Sequence, residues 1–320
     1  MSASPQETAS AELQRFAAGL SFVAPRSASV LRGLADALRT DPDIACTFGD
    51  HVMGLPAAGI RLVAGLHDLV LTGELPALRE VMYPTDPDAA PPSPETAWRL
   101  ARQAFREHAE YLQAALEWQV QQHTPDRAGM LLRGLAMLRQ RRVRLLELGS
   151  CAGLTLLLDR YRWRGSGWTW GAADSPLEFT VAGPPPTADL TIAERAGCDI
   201  APVDPNDPVG VRRLHAFIAA ELTATHSQLD AALALARSAP TRVARASAGI
   251  WLREQLARTP DPGVHTVVWH SQVWHLLDPT EQEDIRGMLV EAGDRFALSR
   301  ISWEPLRVGH RPTLCIEEFS

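Results

Sequence analysis

The run Val143-Arg144-Leu145-Leu146-Glu147-Leu148 ends in Gly149, and Gly153 follows before the apolar stretch Leu154 to Tyr161. A short apolar strand, a tight glycine turn and a helix together open a doubly wound α/β domain, and this one feature decides the fold class. Further strands are expected at Trp168 to Gly171, Cys198 to Val203, Val264 to His270, Phe296 to Trp303 and Thr313 to Phe319. Between them, Val209 to Leu222, Gln228 to Arg237 and Pro279 to Ala292 carry helical spacing. The last of these is well bounded. Asp278 is placed to cap it, Pro279 opens it, Glu281 occupies the reciprocal capping-box position and Gly293 closes it. No internal repeat is visible at periods of 20 to 50 residues.

The first 140 residues have a different texture. Ala11 to Ala18, Ala28 to Arg39 and Ile60 to Leu71 read as amphipathic helices punctuated by Pro42, Pro56 and Pro76. Tyr83 to Pro94 is rich in proline and aspartate and reads as a loop. A long helix follows, capped by Ser93, with Trp98, Ala101, Phe105, Leu112, Leu116 and Val120 on one face; another runs from Asp126 to Gln140. The expected division is therefore an all-helical domain over 1–140 and a sheet domain over 141–320.

Composition removes several classes of function. The chain of 320 residues has a formal charge of −7 and contains no lysine, which excludes Schiff-base chemistry, a P-loop lysine and a lysine general base. The only basic cluster lies at Arg139 to Arg144, so neither nucleic acid nor an anionic membrane surface is expected as a partner. Cys46, Cys151, Cys198 and Cys315 are scattered and show no C-x-x-C spacing, so neither a disulfide framework nor a thiolate metal site is expected. The N-terminus lacks a basic-then-apolar signal pattern and no 18-residue apolar run occurs, so the expected location is the cytoplasm.

The turn after the first strand discriminates between cofactors. A dinucleotide fingerprint G-x-G-x-x-G would need glycine at 149, 151 and 154, where the chain has Gly149, Cys151 and Leu154. An acid two residues before the first glycine, with glycines at alternate positions after it, is met by Glu147, Gly149 and Gly153, with Cys151 in the middle place. This segment resembles the first motif of class I S-adenosylmethionine-dependent methyltransferases. The resemblance implies a Rossmann-like, doubly wound, mostly parallel sheet of class I methyltransferase type. It also implies S-adenosylmethionine as cofactor, with Glu147, Gly149, Ser150, Cys151 and Gly153 around its methionine end. Six strands are expected, the last antiparallel, because only two strand candidates follow Val264 to His270.

Gly171-Ala172-Ala173-Asp174-Ser175-Pro176 is similar to the acid-bearing second motif, which would set Asp174 on the ribose; a turn or N-cap aspartate is the other reading. Val203-Asp204-Pro205-Asn206-Asp207-Pro208 resembles the loop whose acid reaches the adenine, which would assign Asp204 to it, and it is also a strong turn former. Val264 to Asp278 resembles the fourth motif, with His270, Ser271 and Gln272 beyond the strand end where ligands bind in open α/β sheets. On that basis His270 is a candidate general base, Gln272 faces the acceptor with it, and Ser271 contacts cofactor. The other reading of His270 is a hydrogen-bonded structural histidine at a strand end. His270 and His275 lack a third ligand at metal spacing, so no metal is expected.

A narrower resemblance covers most of the chain. Leu145 to Tyr161, Gly197 to Pro205, the helix Ala64 to Leu71 and Met82-Tyr83-Pro84 are similar to an uncharacterised actinobacterial family that carries a domain-of-unknown-function label. Its architecture implies that the helical region forms a lid, with Tyr83, His123 and Trp274 contacting a small-molecule substrate. The sequence-level reading is thus a methyltransferase acting on an unidentified small molecule. Two other readings stand beside it: a noncatalytic protein of the same fold that binds a ligand or partner, and a nucleotide-sugar or nicotinamide enzyme. Oligomeric state is not readable from the sequence.

Overall fold

The computed structural model describes residues 4–48, 57–83, 90, 92–239, 241–305 and 311–319. The helical region comprises α1 (Pro5–Leu20), α2 (Pro25–Thr40), α3 (Pro42–Phe48), α4 (Ala58–Thr72), α5 (Pro76–Met82), α6 (Pro94–Glu107) and α7 (Ala109–Ala115). Then come α8 (Ala128–Leu138), β1 (Arg142–Leu148), β2 (Arg162–Gly165), β3 (Trp168–Gly171), β4 (Glu178–Thr180), β5 (Thr191–Asp199), α9 (Pro208–Ala216) and α10 (Thr223–Ser238). The chain ends with β6 (Val243–Arg245), α11 (Ala248–Leu256), β7 (His265–Ser271), α12 (Pro279–Gly293), β8 (Leu298–Pro305) and β9 (Pro312–Phe319). None of the helices among the described residues is long and apolar enough to cross a membrane.

The chain forms two compact units, and neither is a contiguous segment. The first comprises Met1–Gln122 with Pro208–Ser227, the second His123–Asp207 with Gln228–Ser320. This differs from a division after residue 140 in two places. The helix α8 belongs with the sheet, and α9 belongs with the helices.

In the first unit, proline opens helices more often than it breaks them: α1, α2, α3, α5 and α6 all begin with it. At the first helical position the missing N–H costs nothing and the fixed φ suits the helix. Ser4 and Glu7 form a reciprocal capping box on α1, and Ser93 accepts from Thr96 N to cap α6 as the sequence indicates. The long helix expected through Val120 breaks at His108, whose φ of −120° leaves the helical region, and resumes only to Ala115. Leu13, Leu31, Leu34, Leu38, Leu62, Leu66, Phe105 and Leu112 fill the core.

The helix α9 is tied to this core by polar contacts. Arg212 Nε donates to the buried Asp68 at 2.9 Å, and His67 Nδ1 bonds Ala216 O at 3.1 Å. Glu221, just beyond α9, accepts from the backbone N–H groups of Arg26 and Ser27 and from the Ser27 hydroxyl. It therefore caps α2, whose own N-cap Ala24 has no side-chain acceptor to offer.

The second unit is α/β, with a mostly parallel six-stranded sheet in the order β6-β5-β1-β7-β8-β9. Only β9 is antiparallel, against β8, which matches the expectation of six strands with the last reversed. The central strands β1 and β7 are buried along nearly their whole length, as parallel strands covered on both faces must be.

Three local expectations fail here. The apolar stretch after Gly153 makes only a 3₁₀ segment, Thr155–Arg160. Leu154 O and Leu158 O accept the short-range backbone bonds from Leu157 N and Tyr161 N, and also accept from the Tyr161 hydroxyl and Trp163 Nε1, both at 2.7 Å. The strand Trp168–Gly171 exists but belongs to a separate three-stranded sheet, β3-β2-β4, in which Trp163 pairs with Trp170 and packs on Tyr161 and Phe179. The strand placed at Cys198 to Val203 runs instead over Thr191–Asp199. It stops there because the Asp199 carboxylate captures the next free backbone donors.

Candidate functional site

The C-terminal ends of β1 and β7 lie side by side, with Glu147 opposite Trp269 and Leu148 opposite His270. Glu147 is buried. Its Oε1 accepts from the Thr155 hydroxyl and from Trp269 Nε1, while Oε2 has no partner. Burial pushes its pKa up to about 8 against these hydrogen bonds, so the carboxyl is mostly protonated at neutral pH.

The turn after β1 carries left-handed φ at alternate residues: Gly149 at 71°, Cys151 at 51° and Gly153 at 71°. Cys151 thus adopts the conformation that the glycine pattern would supply, at the strain expected of a non-glycine residue. The turn is fastened to β5. Gly149 N and Ser150 N both donate to Cys198 O at 2.9 Å, and Cys151 N donates to Asp199 Oδ2 at 2.9 Å. A Cβ at Gly149 would lie 2.7 Å from Val273 Cγ2, so glycine is required there by packing as well as by φ.

Beyond β7, His270 Nδ1 sits 2.8 Å from Glu304 Oε1. A carboxylate only accepts, so the proton is on Nδ1 and Nε2 is left as a free acceptor in the neutral ring. Nε2 has no partner, and the ring stacks on Trp274 with centroids 4.8 Å apart. Burial lowers the His270 pKa, with Glu304 opposing. Burial alone would raise Glu304; hydrogen bonds from His270 and Val273 N, with His275 nearby, hold it down to about 2. Gln272 follows with a left-handed φ of 56° and donates its N–H to Trp303 O, while Ser271 is buried at the strand end.

His123 and Arg127 influence each other electrostatically, as Glu147 and Glu304 influence Arg127. His123 is buried with Nε2 unpartnered, and burial drives its pKa down to about 3, with Arg127 adding to the effect. Burial at the Arg127 guanidinium lowers its pKa, while Asp126, Cys151, Glu304 and Glu147 act on it electrostatically.

The structure therefore brings together Glu147, Gly149, Cys151, Gly153, His270, Ser271, Gln272 and Trp274. Ser150 is in the turn but spends its hydroxyl on Glu147 O at 3.0 Å, facing inward. Asp174 does not join. It is exposed in the turn after β3, in the separate sheet, because the strand preceding it does not border β1. Asp204 is likewise an exposed turn aspartate whose Oδ1 accepts from Asn206 N at 2.8 Å. Tyr83 belongs to the first unit, where its hydroxyl bonds His67 Nε2; residues 84–89 and 91 of the loop expected there lie outside the described residues.

Sequence reasoning missed Asp199 and Glu304. Asp199 and Glu304 stand at or beside the ends of β5 and β8, the strands flanking β1 and β7, and such positions are found only once strand order is known. Among the described residues no group of three or more His, Cys, Asp or Glu is arranged to hold a metal ion.

This α/β chain belongs to a family of uncharacterised proteins conserved in bacteria, DUF2332, whose pattern matches residues 10–317. No curated protein and no solved structure matches it.

Proposed function

We propose that the second unit is a Rossmann-like domain of class I methyltransferase type that binds S-adenosylmethionine and transfers its methyl group to a small molecule. The observation that carries this reading is the turn after β1: left-handed backbone at 149, 151 and 153, an acid at 147, and a second acid, Asp199, at the end of the neighbouring strand. Asp199 takes over from Asp174 the role of the acid beside the ribose, since it ends the strand adjoining β1. The cofactor would supply an electrophilic methyl group on a cationic sulfur. A cationic ligand would displace the proton that the neutral Glu147 carboxyl carries on Oε2 and leave that oxygen as a buried charged acceptor, and His270 Nε2 offers an acceptor nucleophile a place to leave its proton. Positioning and exclusion of water do the rest.

One observation favours a noncatalytic ligand-binding protein of the same fold. The helix expected after the glycine turn is replaced by a 3₁₀ segment, and Val273 packs directly on Gly149. Isothermal titration with S-adenosylmethionine and S-adenosylhomocysteine decides whether the cofactor binds. Glu147→Gln is the control of choice because it keeps the Oε1 acceptor, whereas Gly149→Asp would also collide with Val273. Micromolar binding that weakens about tenfold or more in Glu147→Gln supports the cofactor. Binding without turnover of any acceptor selects the noncatalytic reading, and no binding at millimolar ligand rejects the cofactor altogether.

A further inference from the structure

Three imidazoles meet in the first unit, and their hydrogen bonds leave room for few protons. His226, in the first turn of α10, turns Nε2 to Ala219 O at 3.2 Å, and a carbonyl only accepts, so that nitrogen carries a proton. Its Nδ1 lies 2.8 Å from Nδ1 of His215 on α9, with the two rings stacked at an interplanar angle of 14°. One proton fits between those nitrogens, and a second would set two N–H groups head to head. The pair therefore holds one positive charge at most. His67, on α4, is buried and donates from Nδ1 to Ala216 O at 3.1 Å, while its Nε2 meets the Tyr83 hydroxyl. Burial pushes the Tyr83 pKa up to about 12, so the hydroxyl donates and His67 is neutral. Burial also takes the His67 pKa down to about 4, with His226 and His215 acting the same way and the bond to Ala216 opposing.

The charged groups around the cluster are already engaged. Asp68 of α4 accepts from Arg212 Nε and from the Tyr111 hydroxyl, and Glu221 accepts from Arg26 N, Ser27 N and the Ser27 hydroxyl. Arg79 of α5 lies over the Tyr83 ring at 5.4 Å, and Arg213 of α9 over Trp118 at 4.1 Å. The exposed Asp230 stands one turn beyond His226 along α10, and a single carboxylate does not offset the charges that acid would place on three rings. His215, Ala216, Ala219 and His226 all belong to Pro208–Ser227, the downstream segment that completes the first unit. Full protonation breaks the bond between His215 and His226 and buries a cation at His67, and both costs vanish once the segment lets go.

We propose that His67, His215 and His226 form a pH sensor that releases Pro208–Ser227 from the helices of the first unit in acid. The device is independent of the cofactor reading. A free imidazole titrates near 6.5, so the released segment and its partner helix take up protons that the closed arrangement refuses. Closure is at full strength above about pH 6.5 and weakens as pH falls from there towards about 4, the lowered value of His67. His67 alone raises the opening equilibrium about thirtyfold between pH 7.5 and 5, and the second proton of the pair multiplies that.

Hydrogen exchange of the full chain, read by mass spectrometry at pH 7.5 and pH 5 and corrected for the intrinsic exchange rate, tests this. Protection of α9 and of residues 217–227 is expected to fall at least about thirtyfold in acid, while β1 and β7 keep theirs within about threefold. His215→Asn blunts the response, because one amide group donates to a neutral His226 and, turned over, accepts from a protonated one. At pH 5 that variant keeps at least about threefold more of its neutral protection in the segment than the wild-type chain does. Adding His67→Gln abolishes the response. Equal wild-type protection of the segment at the two pH values overturns the sensor, and so does an acid loss of the same size in β1 and β7, which marks general acid unfolding. A response undiminished in His215→Asn assigns it to other groups and overturns the proposal as well. The single variant decides this even where the double variant is unprotected at pH 7.5.

Discussion

Glu147 shows how a single buried carboxyl shapes the site. With its pKa raised from 4.5 to about 8, the native state holds a proton that the unfolded chain releases, so this residue makes stability fall as pH rises from about 4.5 to about 8. Glu147→Gln mimics the protonated form and lacks the dependence. The stability of the wild-type chain relative to Glu147→Gln should therefore drop by about 1 kcal/mol per pH unit across that window and level off above it. Urea unfolding of both proteins at pH 5, 6.5 and 8 measures this. A difference that stays flat would mean that the carboxylate is ionised throughout. Glu147 and His270 were legible in the sequence because each closes an apolar run. Glu304 and Asp199 were not, because their neighbours in space come from distant strand ends, and no local spacing encodes that meeting.

At the scale of elements, caps show the same boundary between local and long-range information. Asp278 caps α12 as its position indicates, accepting from Thr280 N at 2.8 Å. Glu281, three residues on, does not close the expected box with Asp278. Its Oε1 accepts from Gly249 N at 2.8 Å and so caps α11, whose N-cap Ser247 makes no side-chain hydrogen bond. Gly249 leaves room for it, since a Cβ there would already stand 3.2 Å from Glu281 Cγ. Glu281→Ala should therefore cost about 1 kcal/mol in urea unfolding, the usual value of a lost N-cap, and Glu281→Gln should recover most of it. Loss of as much stability in the Gln variant would point to charge rather than the hydrogen bond. Gly293 is still the last helical residue, and packing requires glycine there: a Cβ would press on Phe319 of β9. The longer helices and the strands β1, β7, β8 and β9 were readable from the apolar pattern, whereas the short helices α3, α5 and α11 and the strands β2, β4 and β6 were not. The strand before Asp199 was misplaced because its residues, Thr191–Asp199, mix charged side chains into a central position.

The whole chain is organised so that its first unit cannot be completed by its own N-terminal sequence. Met1–Gln122 reads as a self-sufficient helical domain, yet the compact unit includes Pro208–Ser227, some eighty residues downstream. That segment adds Ala216, Phe217 and Ala220 to the apolar core, and it also satisfies buried polar groups. Without it, Asp68, buried at 1 % exposure, loses Arg212; His67 loses Ala216 O; and the N-terminus of α2 loses the Glu221 carboxylate. An unpaired buried charge and orphaned donors cost about 1–3 kcal/mol or more each, which together rival the entire stability of a small domain. The fragment 1–122 is therefore expected to be helical by far-UV circular dichroism but to melt without a cooperative transition. A peptide spanning 208–227, added in trans, should restore cooperativity, and the same peptide carrying Arg212→Ala and Glu221→Ala should fail to do so. A fragment 1–122 that melts cooperatively by itself would show that its apolar core suffices and that the downstream segment only decorates it.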